Sequence, residues 1–351
     1  MTWAHGGEGT ENDPYLVPDA DALDDVRDYT AAGVYFKQTA NITLADYQEG
    51  DGWAPIFLTA HYDGGNYLIT NLKIDRGASN NQALFTYNNA TISNLKVNGN
   101  VKGRRTVAIL IARSAGNDVE NCHVSGSVES TDTISYAGGL FGDATNGATF
   151  SDCSSSASAD GGTIVGGFGG RADTSSKIER SFSTGSVSGG SGYVGGFIAI
   201  GASSEIYDCY SRGAASGSST VASFVGRQFR SIIKRCYATG ASSFTNRGFA
   251  AEVVTGGDYK MVDNYFDSET TGQSSSAGST DNDSEIPKAR LTEDMTYSYS
   301  EVDTFTNFDF ENVWRDDKDT PLVNNGYPVL QWQPKPIATT TNMILFMGGG
   351  I

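Results

Sequence analysis

The chain has 351 residues, 38% of them hydrophobic and 19% charged, with 43 Gly and a formal net charge of −17. That apolar content is enough for a packed core and excludes wholesale disorder. The acidic balance excludes nucleic acid as a partner, which needs clustered Lys and Arg, and no stretch approaches the ~18 apolar residues of a membrane-spanning helix.

The first residues, "MTWAHGGEGTENDPYLV", lack the basic start and apolar centre of a secretory leader. The expectation is a leader removed beforehand, or release by another route such as inside a virus particle. Residues 19–31, "DADALDDVRDYTA", are the best helix candidate. Leu23, Val26 and Tyr29 recur at three-residue spacing, and Asp19 or Asp21 is placed to act as N-cap. Residues 1–34 are therefore read as a lead-in whose helix caps one end of the adjoining repeats.

Residues 35–268 repeat. One ladder runs Asn94-Leu95, Asn121-Cys122, Asp152-Cys153, Arg180-Ser181, Asp208-Cys209, Arg235-Cys236 and Asn264-Tyr265, with steps of 27, 31, 28, 28, 27 and 29 residues. A second runs Leu84, Leu110, Leu140, Phe168, Phe197, Phe224 and Phe249. Most copies close on a glycine: Gly99, Gly126, Gly185, Gly213 and Gly240. Each unit holds short β-rich pieces separated by Gly, Ser and Asn. A unit this short cannot bury an apolar face alone, but stacked coils can. The predicted fold is all-β: a single-domain, right-handed parallel β-solenoid of roughly seven to nine coils, each strand paired with its equivalent ~4.8 Å above and below. Equivalent residues then form columns, with the Phe/Leu and the Cys/Ser positions turned inward.

Residues 269–333 read as a closing segment, with a short helix at 291–298 and with Trp314, Tyr327, Val329, Leu330 and Trp332 packed on the last coil. A sugar-binding platform is the alternative use of those aromatics. Residues 334–351 form a tail carrying the apolar run Met343, Ile344, Leu345, Phe346 and Met347. The run is too short to span a bilayer and reads as an assembly-docking element, either on another copy, as in a trimer, or on a virion or surface-assembly protein; folding back on its own domain is the alternative.

The four cysteines, Cys122, Cys153, Cys209 and Cys236, fall as two pairs on neighbouring coils. In-register parallel Cβ vectors fit the disulfide dihedral poorly, which favours buried thiols over inter-coil bridges, and the spacing does not match a zinc site. The three histidines are scattered and define no Ser/His/Asp arrangement. Asp118, Glu120, Glu179, Glu205 and Asp208 lie near the Cys step, but Glu179 and Glu205 stand at different offsets from it and need not share a face. Two acidic stretches, 280–285 and 315–320, are candidate Ca²⁺ loops without the full EF-hand pattern; no cofactor is otherwise indicated. Tyr210 and Tyr237 each follow a column cysteine and alternate outward; with Phe182 and His123 they predict an outward aromatic stripe, the candidate ligand-contact face, with a stripe that simply stabilises the sheet as the alternative.

"AGGLFG" (137–142), with the looser "VASFVG" and "VAILIA", resembles the core of the GLUG repeat of bacterial and phage surface proteins. The lead-in "GGEGTENDPYLVPDADALDDVRDY" and the closing "FDFENVWRDDKDTPLVNNGYPVLQWQ" resemble the flanks of such domains. The resemblance implies a non-enzymatic structural or adhesion protein, either a virion appendage such as a phage tail fibre or spike, or an extracellular or cell-surface protein, contacting a host-surface glycan or protein receptor. It supplies no family-wide catalytic residues. The alternative is a tailspike-type polysaccharide hydrolase using outer-face carboxylates.

Overall fold

A computed structural model describes residues 3–255, 257, 259–278, 284–296, 302–318 and 323–335. It is an all-β parallel solenoid of about eight turns. Four sheets run along the axis, of 10, 13, 5 and 8 strands. A representative coil contributes Glu205–Tyr207 to the 10-stranded sheet, Tyr210–Ser211 and Ala215–Gly217 to the 13-stranded sheet, Thr220–Ala222 to the 5-stranded sheet and Val225–Phe229 to the 8-stranded sheet. Successive coils pair in parallel register; Ile178, Ile206, Ile233 and Met261 lie one above another, all buried. Stacking extends beyond the repeats, since Tyr15–Val17 pairs with the strand at 35–38 and Lys288–Arg290 with Tyr265–Asp267.

The helix at the N-terminus spans Ala20–Asp25 and continues as a 3-10 turn over Val26–Asp28. Of the two candidate caps it is Asp19 that accepts the Ala22 N–H, at 2.9 Å. Leu23 and Val26 are buried in the solenoid core. Trp3, Tyr15, Tyr29 and Phe36 pack their rings together beside them, with centroids 5.0–5.7 Å apart.

Both sequence ladders are inward columns. Phe168, Phe197, Phe224 and Phe249 stack along the axis with centroids 4.8, 4.9 and 4.5 Å apart, close to the strand spacing. The residue before each member of the Cys ladder makes the corner. Asn94, Asn121, Asp152, Arg180, Asp208, Arg235 and Asp263 all have φ between 46° and 55°. Asn and Asp tolerate this left-handed conformation. Arg180 and Arg235 are held in it by forked ion pairs to the corner carboxylate one coil earlier, Asp152 (2.8 and 3.0 Å) and Asp208 (2.7 and 2.6 Å).

The corner also corrects the last rung read from the sequence. Asp263, not Asn264, makes the turn, and Tyr237 pairs with Tyr265. Asn264 therefore stands in the Cys column, and Tyr265 joins the outward Tyr column. The Cys column is more than a run of small side chains. Four members accept the backbone N–H of their equivalent one coil earlier: Cys122 N–H to Cys153 Sγ (3.4 Å), Cys153 N–H to Ser181 Oγ (3.1 Å), Cys209 N–H to Cys236 Sγ (3.4 Å) and Cys236 N–H to Asn264 Oδ1 (3.1 Å). Only a compact side chain with an acceptor atom does this, which is why Ser and Asn substitute for Cys. All four thiols are free and buried, and burial pushes those of Cys153 and Cys209 well up from the usual range.

Gly213 and Gly240 answer to close approach rather than to turn geometry. A Cβ on Gly213 would sit well inside contact distance of the Gly185 carbonyl oxygen, and one on Gly240 would meet that of Gly213 in the same way. Neither residue has positive φ.

The closing segment differs from expectation in position. Trp314–Arg315 and Val329–Leu330 form a small antiparallel ladder. This hairpin lies along the flank of the coils instead of across the last one: Trp332 reaches His123 and Phe182, while Phe305 and Phe308 reach Tyr265. The reason is apolar area. The outward ring column offers a continuous face several coils long, whereas the final coil is met by residues 284–290 through bonds such as Glu285 N–H to Met261 O, 2.6 Å.

Candidate functional site

The residues expected to form an outward stripe do share one column. Phe182 and Tyr210 stack at 4.8 Å and 5°, and Tyr210 and Tyr237 at 5.0 Å and 3°. Register puts them there, since Phe182 pairs with Tyr210 and Tyr210 with Tyr237. The expectation of a ligand-contact face is corrected: Tyr210 and Tyr237 are 1% and 0% exposed. The chain's own closing segment covers them. Asn324 Nδ2 donates to Tyr237 Oη at 2.6 Å, and Tyr237 Oη donates to the Pro328 carbonyl at 2.6 Å. Gln333 Nε2 donates to Tyr210 Oη at 3.0 Å, Trp314 Nε1 donates to Asp208 at 3.2 Å, and Trp332 Nε1 donates to the Arg180 carbonyl at 2.8 Å. Burial pushes both phenols well above their ordinary pKa. Tyr210 and Tyr237 are thus a binding face, but one occupied by residues 305–318 and 323–333 of the same chain.

His123, at the other end of the column, is half-buried beneath Trp332, with ring centroids 5.1 Å apart. Its Nδ1 lies 3.0 Å from Ser154 Oγ and its Nε2 3.1 Å from Asn121 Oδ1. Because the Asn oxygen only accepts, Nε2 carries the proton and Nδ1 accepts from Ser154. Sequence reasoning missed this Ser–His–Asn chain, since Ser154 stands 31 residues from His123 and only coil register joins them. The connectivity is that of a nucleophile, base and orienting group. Its base is weak, however: burial, then the Lys96 charge, lowers the His123 pKa to about 4. The site is a hydrogen-bonded support for the Trp332 stack.

Four of the five candidate carboxylates share a sheet, and Asp208 stands at a corner. Asp118–Glu120, Lys177–Glu179 and Glu205–Tyr207 are strands of the 10-stranded sheet, with Asp118, Glu120, Glu179 and Glu205 alternating outward around buried Val119, Ile178 and Ile206. They are interleaved with cations. Glu179 takes Lys177 Nζ at 2.5 Å and Arg180 at 2.7 Å, and these contacts outweigh its desolvation and hold its pKa below the ordinary value. Asp208 is committed to Arg235 and Trp314. A general acid needs the opposite shift.

Of the two acidic loops, 280–283 and 319–320 lie outside the described residues. Asp317 accepts three backbone N–H groups, from Val323, Asn324 and Gly326 at 2.8, 2.5 and 3.0 Å, which occupies the oxygens a cation would use. Among the described residues no group of three or more His, Cys, Asp or Glu is arranged for a metal, and no helix is long and apolar enough to cross a membrane. Met343, Ile344, Leu345, Phe346 and Met347 also lie outside the described residues.

No protein-family model matches the chain. Its solenoid is similar to that of a crystal structure from Bacteroides ovatus assigned as an immunoglobulin A1 protease, with a TM-score of 0.61 at 21% identity over 93% of this chain and 95% of that one. A second solved structure, named IgA1 protease, superposes with a TM-score of 0.55 at 17% identity over 78% of this chain and 23% of that one. At these identities the likeness is one of fold. In sequence, the chain is 34% identical over 122 residues to a protein of Evansella cellulosilytica named as a Gly-rich membrane protein, and 31% identical over 160 residues to Halomucin of Haloquadratum walsbyi. The matched parts are 14% and 2% of those proteins and 32% and 41% of this chain.

Proposed function

We propose that the chain is a non-catalytic β-solenoid module, of the GLUG-repeat type, of an extracellular or cell-surface protein, in which it serves structure or adhesion toward a host glycan or receptor. The observation that carries this reading is the use made of the outer polar groups. They pair with one another from coil to coil, as Asp152 with Arg180 and Asp208 with Arg235, rather than converging on a reacting centre. The names of the partial relatives, a Gly-rich membrane protein and Halomucin, favour a cell surface over a virion. The tail at 334–351 is the proposed docking element toward an assembly partner or further copies of the chain, and deletion of residues 335–351 is expected to abolish that association while leaving the solenoid folded.

The names of the two fold neighbours make proteolysis the reading to exclude. Incubation of the protein with IgA1, and separately with capsular polysaccharide, is expected to yield neither peptide fragments nor new reducing ends. Cleavage that is lost in Ser154→Ala or in Glu179→Gln would overturn the non-catalytic reading. Antibody labelling of intact producing cells is expected to find the module outside.

A further inference from the structure

A cleft of about 570 Å³ lies on the outer face of the 10-stranded sheet near the N-terminal end. Its wall is a second stacked ring column: Tyr35 and His61 pair in register, with centroids 4.4 Å apart and planes 9° apart. Stacking uses one face of the Tyr35 ring. Glu11, Asn12 and Pro14, from the loop that leads into the first strand, also line the cleft. The Thr91 N–H donates to His61 Nδ1 at 3.3 Å, so His61 is held as the tautomer whose Nε2 is a donor.

We propose that this cleft is a saccharide subsite that takes a neutral hexopyranose unit of a glycan. Three features argue for that chemistry. A pyranose has an apolar C–H face ringed by hydroxyls, and the cleft sets an aromatic column beside a polar one. Lys37 and Asp63 are register partners on the same strands, two residues beyond the rings and therefore ~6.6 Å along on the same face, and Ser93 pairs with Asp63 on the next strand. A sugar lying along the outer edge of the ring column would have a cationic donor and a carboxylate acceptor beside it. The polar column is also preorganised, since Asp63 Oδ1 already accepts from Gly65 N–H at 2.9 Å and from Asn94 Nδ2 at 3.0 Å. The sign of the charge selects among glycans: Glu11 and Asp63 in the cleft, on a chain of net charge −17, disfavour sialylated or sulfated units. The inference rests on the surface-module reading only in choosing a glycan over a free metabolite.

The test uses the full chain and a panel of neutral oligosaccharides (tetramers of β-linked glucose, galactose or N-acetylglucosamine) with sialyllactose as the anionic comparison. Calorimetric or NMR titration is expected to show saturable binding of at least one neutral tetramer and weaker binding of sialyllactose. Tyr35→Ala is expected to lower affinity about tenfold or more, and Phe57→Ala, at a ring outside the cleft, to leave it unchanged. Asn12→Trp, which fills the cleft from an exposed loop position, is expected to block binding and carries the test should Tyr35→Ala fail to fold. Absence of saturable binding, binding indifferent to Asn12→Trp, or preference for sialyllactose overturns the subsite. None of these outcomes affects the surface-module reading, which is judged by cell labelling and by the cleavage assays.

Discussion

Two outward ring columns on this solenoid are built by the same rule and end in opposite states. Phe182, Tyr210, Tyr237 and Tyr265 stack in register and are covered by Trp314, Trp332, Phe305 and Phe308. Tyr35 and His61 stack in register just as closely and border an open cleft. Coil periodicity therefore accounts for stacking in both places, and exposure in neither. What separates them is whether a later segment of chain lies alongside with matching rings and amide groups. Covered rings become part of the core; uncovered rings remain available to something else.

The sharpest way to break this contrast is to remove a covered ring. Tyr237→Ala deletes a fully buried side chain together with its hydrogen bonds to Asn324 Nδ2 and the Pro328 carbonyl. A loss of about 3–5 kcal/mol is expected in denaturant unfolding, against less than about 1 kcal/mol for Tyr35→Ala in the open column; equal losses would end the distinction. Next in size is Gly213→Ala. The added methyl must push apart coils that touch through the Gly185 carbonyl, and about 1–3 kcal/mol or more is expected from the same measurement.

The cover also governs a titration. Burial and Lys96 lower the His123 pKa from the ordinary 6.5 to about 4. Between those values the unfolded chain binds the proton and the folded chain does not. Stability is therefore complete above about pH 6.5 and falls as pH drops toward 4, with this residue contributing a slope of up to about 1.4 kcal/mol per unit. His123→Gln is expected to flatten that part of the pH profile. Trp332→Ala, which uncovers the imidazole, is expected to bring its pKa back toward the ordinary value in an NMR titration, and an unmoved pKa would show that the indole is not what desolvates it. The smallest effect concerns the cysteines: all four are expected to resist a thiol reagent in the folded protein and react on unfolding, whereas a rapidly labelled thiol would place that residue outside the column.

Much of the repeat architecture is legible in the sequence because stacking is local in period. A step of 27 to 31 residues puts Cys122 beneath Cys153 and Phe197 beneath Phe224, and the residue types at those steps report it. The sequence ladder is off by one residue at Asn264-Tyr265, because Asn does not resemble Cys in size. The equivalence lies in accepting the Cys236 N–H, a hydrogen bond rather than a volume. The members of the outward stripe are legible too, but their cover is not. Residues 305–318 and 323–333 carry no period linking them to the coils they cover, and the contacts span separations such as the 152 residues from Arg180 to Trp332.

By itself the sequence determined the coil and the inward columns. Each depends on a residue type recurring at the spacing that brings equivalent strands into contact, and spacing is written in the chain. Only the tertiary structure decided which outward rings are buried, which carboxylates are neutralised by cations one coil away, and which histidine meets a serine. Those outcomes depend on side chains approaching from distant segments, and burial and charge pairing are properties of the assembled surface rather than of any stretch of sequence.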